Sequence, residues 1–323
     1  MSWERILQND RPAEPLRQRI DELFAQQRAT WPALQDGESA LAHLQRKTLT
    51  ADGQSIVVQM NPARRRSTLA KTDAQAVAAR ACFLCPENMP AEERGIAFED
   101  LVLMPNPYPI LPVHCTIADR VHRPQRIRGR VDTFLHLAQV IGPDLAALYN
   151  GPRCGASAPD HFHLQAARAD EMPLLHQLAA LPDDRSAVAH TTFGRNIFVF
   201  RNTNVVDSVK HIERTIDALA QVESTTEEPM VNMVAHWRHG CYTLVLFPRS
   251  AHRPACYFAT GADQLLVSPA VLEMSGILVA TEPEHFSRID AHIARTIYEE
   301  VSLPTAQFEQ LAAIIEHETS PSN

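Results

Sequence analysis

Lysine is nearly absent from this chain. Of 30 basic side chains, 27 are Arg and three are Lys, at positions 47, 71 and 210. A GC-rich genome explains most of that bias, and Arg suits bidentate phosphate contacts only at particular positions. An excess of positive charge is also missing. The net charge is −8, which argues against a general nucleic-acid binder. No apolar run reaches membrane length, so a membrane-spanning protein is not expected. The opening MSWERILQND has no apolar core and carries charge from residue 4. No secretory leader is therefore expected, and the chain is read as cytoplasmic. Cysteines are few. Without a secretion signal the six of them do not suggest a disulfide framework. The one tight pair, Cys82 and Cys85, has a spacing that means metal, redox chemistry or coincidence.

What is present is an ordinary globular composition, 45% hydrophobic and 21% charged, with 15 His. A length of 323 residues suggests two modules or a fused double domain. Residues 14–48 read as helix, with Leu16, Ile20, Leu23 and Phe24 at helical spacing, a break at Trp31-Pro32, then Leu41 and Leu44. Residues 54–60 read as a strand. A basic loop with Arg64, Arg65 and Arg66 follows, and 72–80 reads as helix. Residues 101–104 and 113–118 are strand candidates, joined by a link that Pro105, Pro107, Pro109 and Pro112 keep extended. Residues 131–149 carry the strongest helical pattern, kinked or divided at Pro143 and stopped at 149–152. Residues 161–166 alternate, which sets His161, His163 and Gln165 on one face of a strand.

The second half has the same rhythm. Strands are expected at 196–200 and 242–247, a helix at 207–221, a strand or helix edge at 230–236, and helices at 287–300 and 304–316. The link between halves is read at 168–190, where Pro173, Pro182, Asp183 and Asp184 sit. A weak echo agrees with two modules without proving duplication: a strand followed by Arg and then His-Arg-Pro occurs at 119–124 and again at 248–254.

The strongest chemical feature is Gly155-Ala156-Ser157 followed by His161-x-His163-x-Gln165. An imidazole is a nucleophile near neutral pH. Loop N–H groups and a Ser hydroxyl can hold phosphate oxygens, and Gln165 can donate to a non-bridging oxygen. The bland alternative is a pair of structurally satisfied histidines, and the adjoining loop and Gln weigh against it. Cys82 and Cys85 need two more ligands for a closed tetrahedral zinc site. Among the histidines of the same half, His122 and His161 would clip the N-terminal segment to the strand that carries His163. A metal-free thiol pair or a redox pair is the alternative.

The motifs CFLCPEN (82–88), NPYPILPVHCTIADRVHRPQ (106–125) and NGPRCGASAPDHFHLQA (150–166) resemble the histidine-triad superfamily. Within it they resemble the branch that holds galactose-1-phosphate uridylyltransferase, diadenosine tetraphosphate phosphorylase and the GDP-hexose phosphorylases. The resemblance covers roughly residues 50–170 and extends loosely beyond. It implies an α+β fold of two histidine-triad-like half-domains, with antiparallel sheets flanked by helices. The expected division is an N-terminal helical segment (1–49), a catalytic half (50–170) and a second half (190–323).

The resemblance puts the family's nucleophile on His163, the Gln of its motif on Gln165 and its phosphate-holding Ser on Ser157. Asn150 matches the Asn that opens the loop. Zn2+ would take Cys82, Cys85, His161 and His122, with His114 as runner-up for the last. Arg64, Arg66 and Lys71 resemble an Arg-bearing loop that touches nucleotide phosphates. Arg249, His252 and Arg253 resemble a cluster for an acceptor phosphate, with ordinary surface charge as the alternative. Two departures stand out. Three residues separate Ser157 from His161, where the uridylyltransferase has two, and zinc is not common to every member. The expected activity is that of a nucleotidylyl transferase or phosphorylase acting on a dinucleoside polyphosphate or nucleotide-sugar, with phosphate as acceptor. HFHLQ favours the phosphorylases over the hexose-1-phosphate uridylyltransferases. A non-catalytic nucleotide-binding protein is the other alternative. No nucleic-acid or membrane partner is expected, and a homodimer is left open.

Overall fold

The computed structural model describes residues 3–8, 13–180 and 188–319. Two helices open the fold, α1 (Leu16–Thr30) and α2 (Pro32–Ala42), then the hairpin β1 (Gln45–Ala51) and β2 (Gln54–Met60). Short helices α3 (Arg65–Thr68) and α4 (Ala74–Ala78) lead to β3 (Ile96–Phe98), β4 (Leu101–Pro105) and β5 (Cys115–Asp119). Then come α5 (Val131–Ile141), β6 (Leu145–Asn150), β7 (His163–Arg168) and α6 (Pro173–Ala179). The second half runs β8 (Val188–Thr192), β9 (Arg195–Asn202), α7 (Val205–Val222), β10 (Val231–Arg238) and β11 (Cys241–Pro248). It closes with α8 (Ala255–Phe258), α9 (Val271–Met274), β12 (Ile277–Ala280), α10 (Pro283–Arg288), α11 (Ala291–Val301) and α12 (Thr305–Thr319).

The fold is α+β, and its two halves repeat the order strand, strand, helix, strand, strand. Their strands merge into one antiparallel sheet of nine, in the order β3-β4-β5-β7-β6-β10-β11-β9-β8. The seam is β6 against β10, where Tyr149 pairs with Met233 and Leu148 with Val234. Every residue of β6 is buried, because both faces of the sheet are covered. Helices α1, α5, α7 and α12 cover one face, where Phe24, Phe134, Leu164, Ile216, Leu246 and Leu311 meet in one core. The small sheet β1-β2-β12 and helices α6, α9 and α11 cover the other, around Val58, Leu148, Val234, Val245 and Ile297. Helix α7 shows why these elements form. Asn204 caps it by accepting the Val206 and Asp207 amides, and it buries Ile212, Ile216 and Leu219 on one side. Each such side chain contributes about 1.5–3 kcal/mol.

Several local expectations differ from the structure. The helical reading of 14–48 ends at Ala42, and β1 starts at Gln45. The pattern over 131–149 is half helix and half strand. Gly142-Pro143 stops α5, and the apolar run that follows is a sheet strand buried on both faces, which periodicity cannot tell from a buried helix. Only Ala74–Ala78 of 72–80 is helical. The link at 168–190 holds α6, and its Pro182, Asp183 and Asp184 lie outside the described residues. Strands β8 and β12 went unread, the latter paired in parallel with β2. No helix among the described residues is long and apolar enough to cross a membrane.

Candidate active site and metal centre

Strand β7 alternates as its sequence suggests. Phe162, Leu164 and Ala166 enter the core under the helices, so His163 and Gln165 belong to the opposite face. His163 is 4% exposed, and its Nδ1 lies 2.9 Å from the His161 carbonyl oxygen. A carbonyl only accepts, so Nδ1 carries the proton and Nε2 carries the lone pair. Burial lowers the His163 pKa to about 4, against the hydrogen bond to the His161 carbonyl, which raises it. The ring is thus neutral at pH 7, in the tautomer a nucleophile needs.

Gln165 is oriented by His114. The Ile110 amide donates to His114 Nδ1 at 3.4 Å, so the His114 proton is on Nε2, 3.3 Å from Gln165 Oε1. Burial, then the nearby Arg64, pushes the His114 pKa down to about 3, so it stays a neutral donor. Taking the Gln165 oxygen turns its NH2 the other way. His114 therefore sits with Gln165 and outside the thiol cluster.

Cys82, Cys85, His122 and His161 bring their donor atoms within 4.8 Å of one another. Cys82 Sγ lies 3.3 Å from His161 Nδ1, and Cys85 Sγ lies 3.3 Å from His122 Nδ1 and 3.6 Å from His161 Nδ1. A tetrahedral ion with metal–sulfur bonds of ~2.3 Å and metal–nitrogen bonds of ~2.05 Å separates S and N by about 3.6 Å, so the four fit a metal ion. His161 Nε2 donates to the Asp119 carbonyl at 2.7 Å, which leaves Nδ1 as lone pair toward the thiols. Burial raises both thiol pKa values, Cys85 to about 12. Thiols held protonated are poor redox nucleophiles. Asp160, the extra residue of the loop, pairs with Arg80 at 2.9 Å and stands 3.8 Å from His122 Nε2.

A small open cleft lies where the two halves meet, lined by Arg64, Ser157, His252 and Arg253 among others. Arg66, Lys71, His163 and Gln165 are outside its lining. Ser67 and Glu273 are inside it and went unread in the sequence. Arg64 donates to the Tyr108 carbonyl at 2.8 Å and is drawn by the Glu273 carboxylate, whose own pKa burial raises. Arg253 is committed to the loop that carries Arg64. It donates to the Thr68 and Ala70 carbonyls at 2.9 and 2.8 Å and to Ser268 Oγ at 3.0 Å. Burial beside Arg253 and Arg249 holds the His252 pKa down to about 3, so it is no cation at pH 7.

Two residues expected to touch substrate, Arg249 and Asn150, are held by internal partners. Arg249 is 0% exposed. Its donors go to the carbonyls of Val301 (2.9 Å), Pro269 (3.0 Å), Ala251 (3.1 Å) and His252 (3.3 Å), and to Asn232 Oδ1. Asn150 is 4% exposed, and its Oδ1 accepts from Asn232 Nδ2 at 2.9 Å and the Val271 amide at 2.8 Å. It holds the Gly155 loop against the second half. Gly155 needs its φ of +115°, and a Cβ there would lie 2.7 Å from Ala270 and 2.9 Å from Asn150 Oδ1. Gln125, a buried residue between β6 and β7, also went unread. Nothing in a lone Gln after His-Arg-Pro singles it out.

Residues 23–168 match a family model described as a domain of unknown function (DUF4922), and residues 189–321 match a GDPGP1-like, C-terminal domain. No curated protein matches the chain. Among solved structures, yeast Ap4A phosphorylase Apa2 in complex with AMP is 15% identical, with a TM-score of 0.59 over 90% of this chain and 97% of that one. The same yeast enzyme in complex with Ap4A gives 15% identity and a TM-score of 0.55, over 87% and 97%. The likeness is one of fold, and with the C-terminal domain match it bears out the resemblance read from residues 82–166.

Proposed function

We propose that this chain, which resembles the histidine-triad branch of the Ap4A and GDP-hexose phosphorylases in fold and in its C-terminal domain, is a nucleotidylyl transferase of phosphorylase type. Its substrate would be a dinucleoside polyphosphate or a nucleotide-sugar. The observation that carries the reading is the tautomer of His163, protonated on Nδ1 against the His161 carbonyl with Nε2 left as lone pair. The yeast enzyme's complexes with AMP and Ap4A give the substrate class its support.

The reaction runs in two displacements. His163 Nε2 attacks the α-phosphorus, the bond to the bridging oxygen breaks, and the electron pair leaves with the first product. The chain then holds a nucleotidyl group on Nε2. An oxygen of inorganic phosphate attacks the same phosphorus, the N–P bond breaks, and its pair returns to Nε2. Gln165, turned by His114, and Ser157 offer hydrogen-bond donors to the non-bridging oxygens, and Arg64 in the cleft offsets their charge. Arg66 and Lys71 have no step in this scheme.

Cys82, Cys85, His122 and His161 would hold Zn2+, whose part is structural: a closed site clipping the 82–85 turn to the strand that carries His163. Metal analysis at about one zinc per chain supports this, and a metal-free, readily oxidised pair overturns it. In the same reading, residues 50–170 form the reacting half and 190–323 the half that completes the cleft.

The deciding experiment incubates the protein with nucleoside polyphosphates and nucleotide-sugars plus inorganic phosphate, and identifies products by mass. Nucleoside diphosphate formation is the expected result. A denaturation-trapped, acid-labile adduct on His163, absent from His163→Ala, is the second. Turnover only with a hexose-1-phosphate acceptor would replace phosphorylase by uridylyltransferase. Tight binding with no turnover across the panel would leave a nucleotide-binding protein.

A further inference from the structure

The β6–β7 ladder stops short of the reacting histidine. It pairs Leu145 with Arg168 and runs to Leu148 opposite Gln165. Two residues further on, the same register would set Asn150 opposite His163. There the Gln125 carboxamide stands between the strands instead. Its Nε2 donates to the carbonyls of Asn150 and His163, both at 2.9 Å, and its Oε1 accepts the His163 amide at 2.7 Å. Gln125 is 0% exposed. Its own amide donates to the Pro159 carbonyl at 3.1 Å, and the Phe162 amide donates to the Arg123 carbonyl at 2.7 Å.

Both donor protons and the acceptor of that carboxamide are used, so its plane and its O/N assignment are fixed. A flip would set NH2 against the His163 N–H and oxygen against two carbonyls. The strands have to part at this level, because residues 151–162 leave β6 and return to β7 as the Gly-Ala-Ser loop. Backbone pairing cannot bridge that gap. One side-chain amide spans it and ties the residue that opens the loop to the residue that reacts.

We propose that Gln125 is a positioning residue for His163. Its carboxamide replaces the missing ladder pair and holds the histidine backbone, and with it Nε2, at a fixed distance from the phosphate loop. This rests on His163 being the nucleophile. The misplacement expected on its loss is of the size that costs roughly 100-fold in rate.

The test compares Gln125→Ala with Gln125→Met and Gln125→Glu, which keep the length of the side chain. Gln125→Glu can accept from the His163 amide but cannot donate to the two carbonyls. Folded protein of each variant should show kcat and adduct formation lowered roughly 100-fold, with KM within about threefold of wild type. Gln125→Glu should be as slow as Gln125→Ala. The 15N and 1H signals of the His163 imidazole should shift or broaden, a readout independent of turnover. A merely structural role would lower melting temperature while folded protein kept its kcat and its imidazole signals. That outcome in Gln125→Met or Gln125→Glu overturns the proposal. If wild type forms no adduct with any substrate, the nucleophile reading fails, and the imidazole signals still decide for or against Gln125.

Discussion

Arg249 separates a substrate contact from a structural joint most sharply. Its five N–H groups meet five acceptors drawn from β10, the 251–252 turn, the segment before α9 and the end of α11. Hydrogen bonds to a charged donor contribute about 1.5–3 kcal/mol each. Five would sum to roughly 7–15 kcal/mol, but removing a guanidinium from water costs several kcal/mol and offsets much of that. Truncation also leaves buried carbonyls without partners and a cavity where a large side chain stood. Breaking a comparable buried charge network costs about 3–5 kcal/mol. At about 2 °C per kcal/mol for a chain of this size, Arg249→Ala should melt about 6–10 °C below wild type. Arg249→Lys, with three donors in place of five, should fall between. Thermal unfolding followed by circular dichroism checks the loss, beside KM for phosphate measured on the folded protein. An Arg249→Ala protein that melts like wild type while its KM for phosphate rises tenfold would refute the joint and restore the acceptor-site reading.

Other expected outcomes follow the same geometry. His163→Ala should abolish the trapped adduct and lower kcat by at least about 10⁴-fold while melting within a few degrees of wild type. His114→Phe removes the donor that turns Gln165, so kcat should fall about 10²-fold, as for the loss of one transition-state donor, with little change in KM. Acid should weaken the fold through His114 and His252. Both have folded pKa values of about 3, below the unfolded value of about 6.5. The unfolded chain therefore binds more protons, and the contribution is full above pH 6.5 and lost as pH falls toward 3. By pH 5.5 the loss is about 1.4 kcal/mol per histidine, so a His252→Asn protein should lose less melting temperature than wild type between pH 7.5 and 5.5. Cys85→Ser should lose the metal and melt lower, and a metal-free Cys85→Ser protein with wild-type stability would remove the case for a structural clip.

How much of this was legible in the sequence depended on whether one short segment carried the signal. Helix α7 could be read because its apolar positions recur at helical spacing on a single element with a polar outer face. Strand β6 could not, because LAALYN is buried on both faces and leaves no alternation to see. Strand β12 failed for a related reason. Four buried apolar residues gain their identity as a strand only from a parallel partner more than 200 positions away in β2. The basic clusters show the opposite difficulty. His-Arg-Pro after a strand occurs twice, yet Arg249 is spent on backbone carbonyls and Arg253 on the 68–70 loop. Charge in a sequence does not say what will face it.

The candidate site adds a subtler case. His161 and His163 sit two residues apart at the head of one strand, yet the structure gives them opposite ring chemistry. The Asp119 carbonyl, at the end of β5, takes the His161 Nε2 proton and leaves Nδ1 for the thiol cluster. The His161 carbonyl then takes the His163 Nδ1 proton and leaves Nε2 as a lone pair. Each ring's tautomer is set by its own backbone carbonyl. That dependence explains why the strand is braced so heavily just here, by pairing with β5 and by the cluster that the thiols complete. The motif His-x-His names the two rings. Which nitrogen each one offers is decided by backbone groups that the motif does not contain, and it is the nitrogen that fixes whether a histidine can ligate on one side or attack on the other.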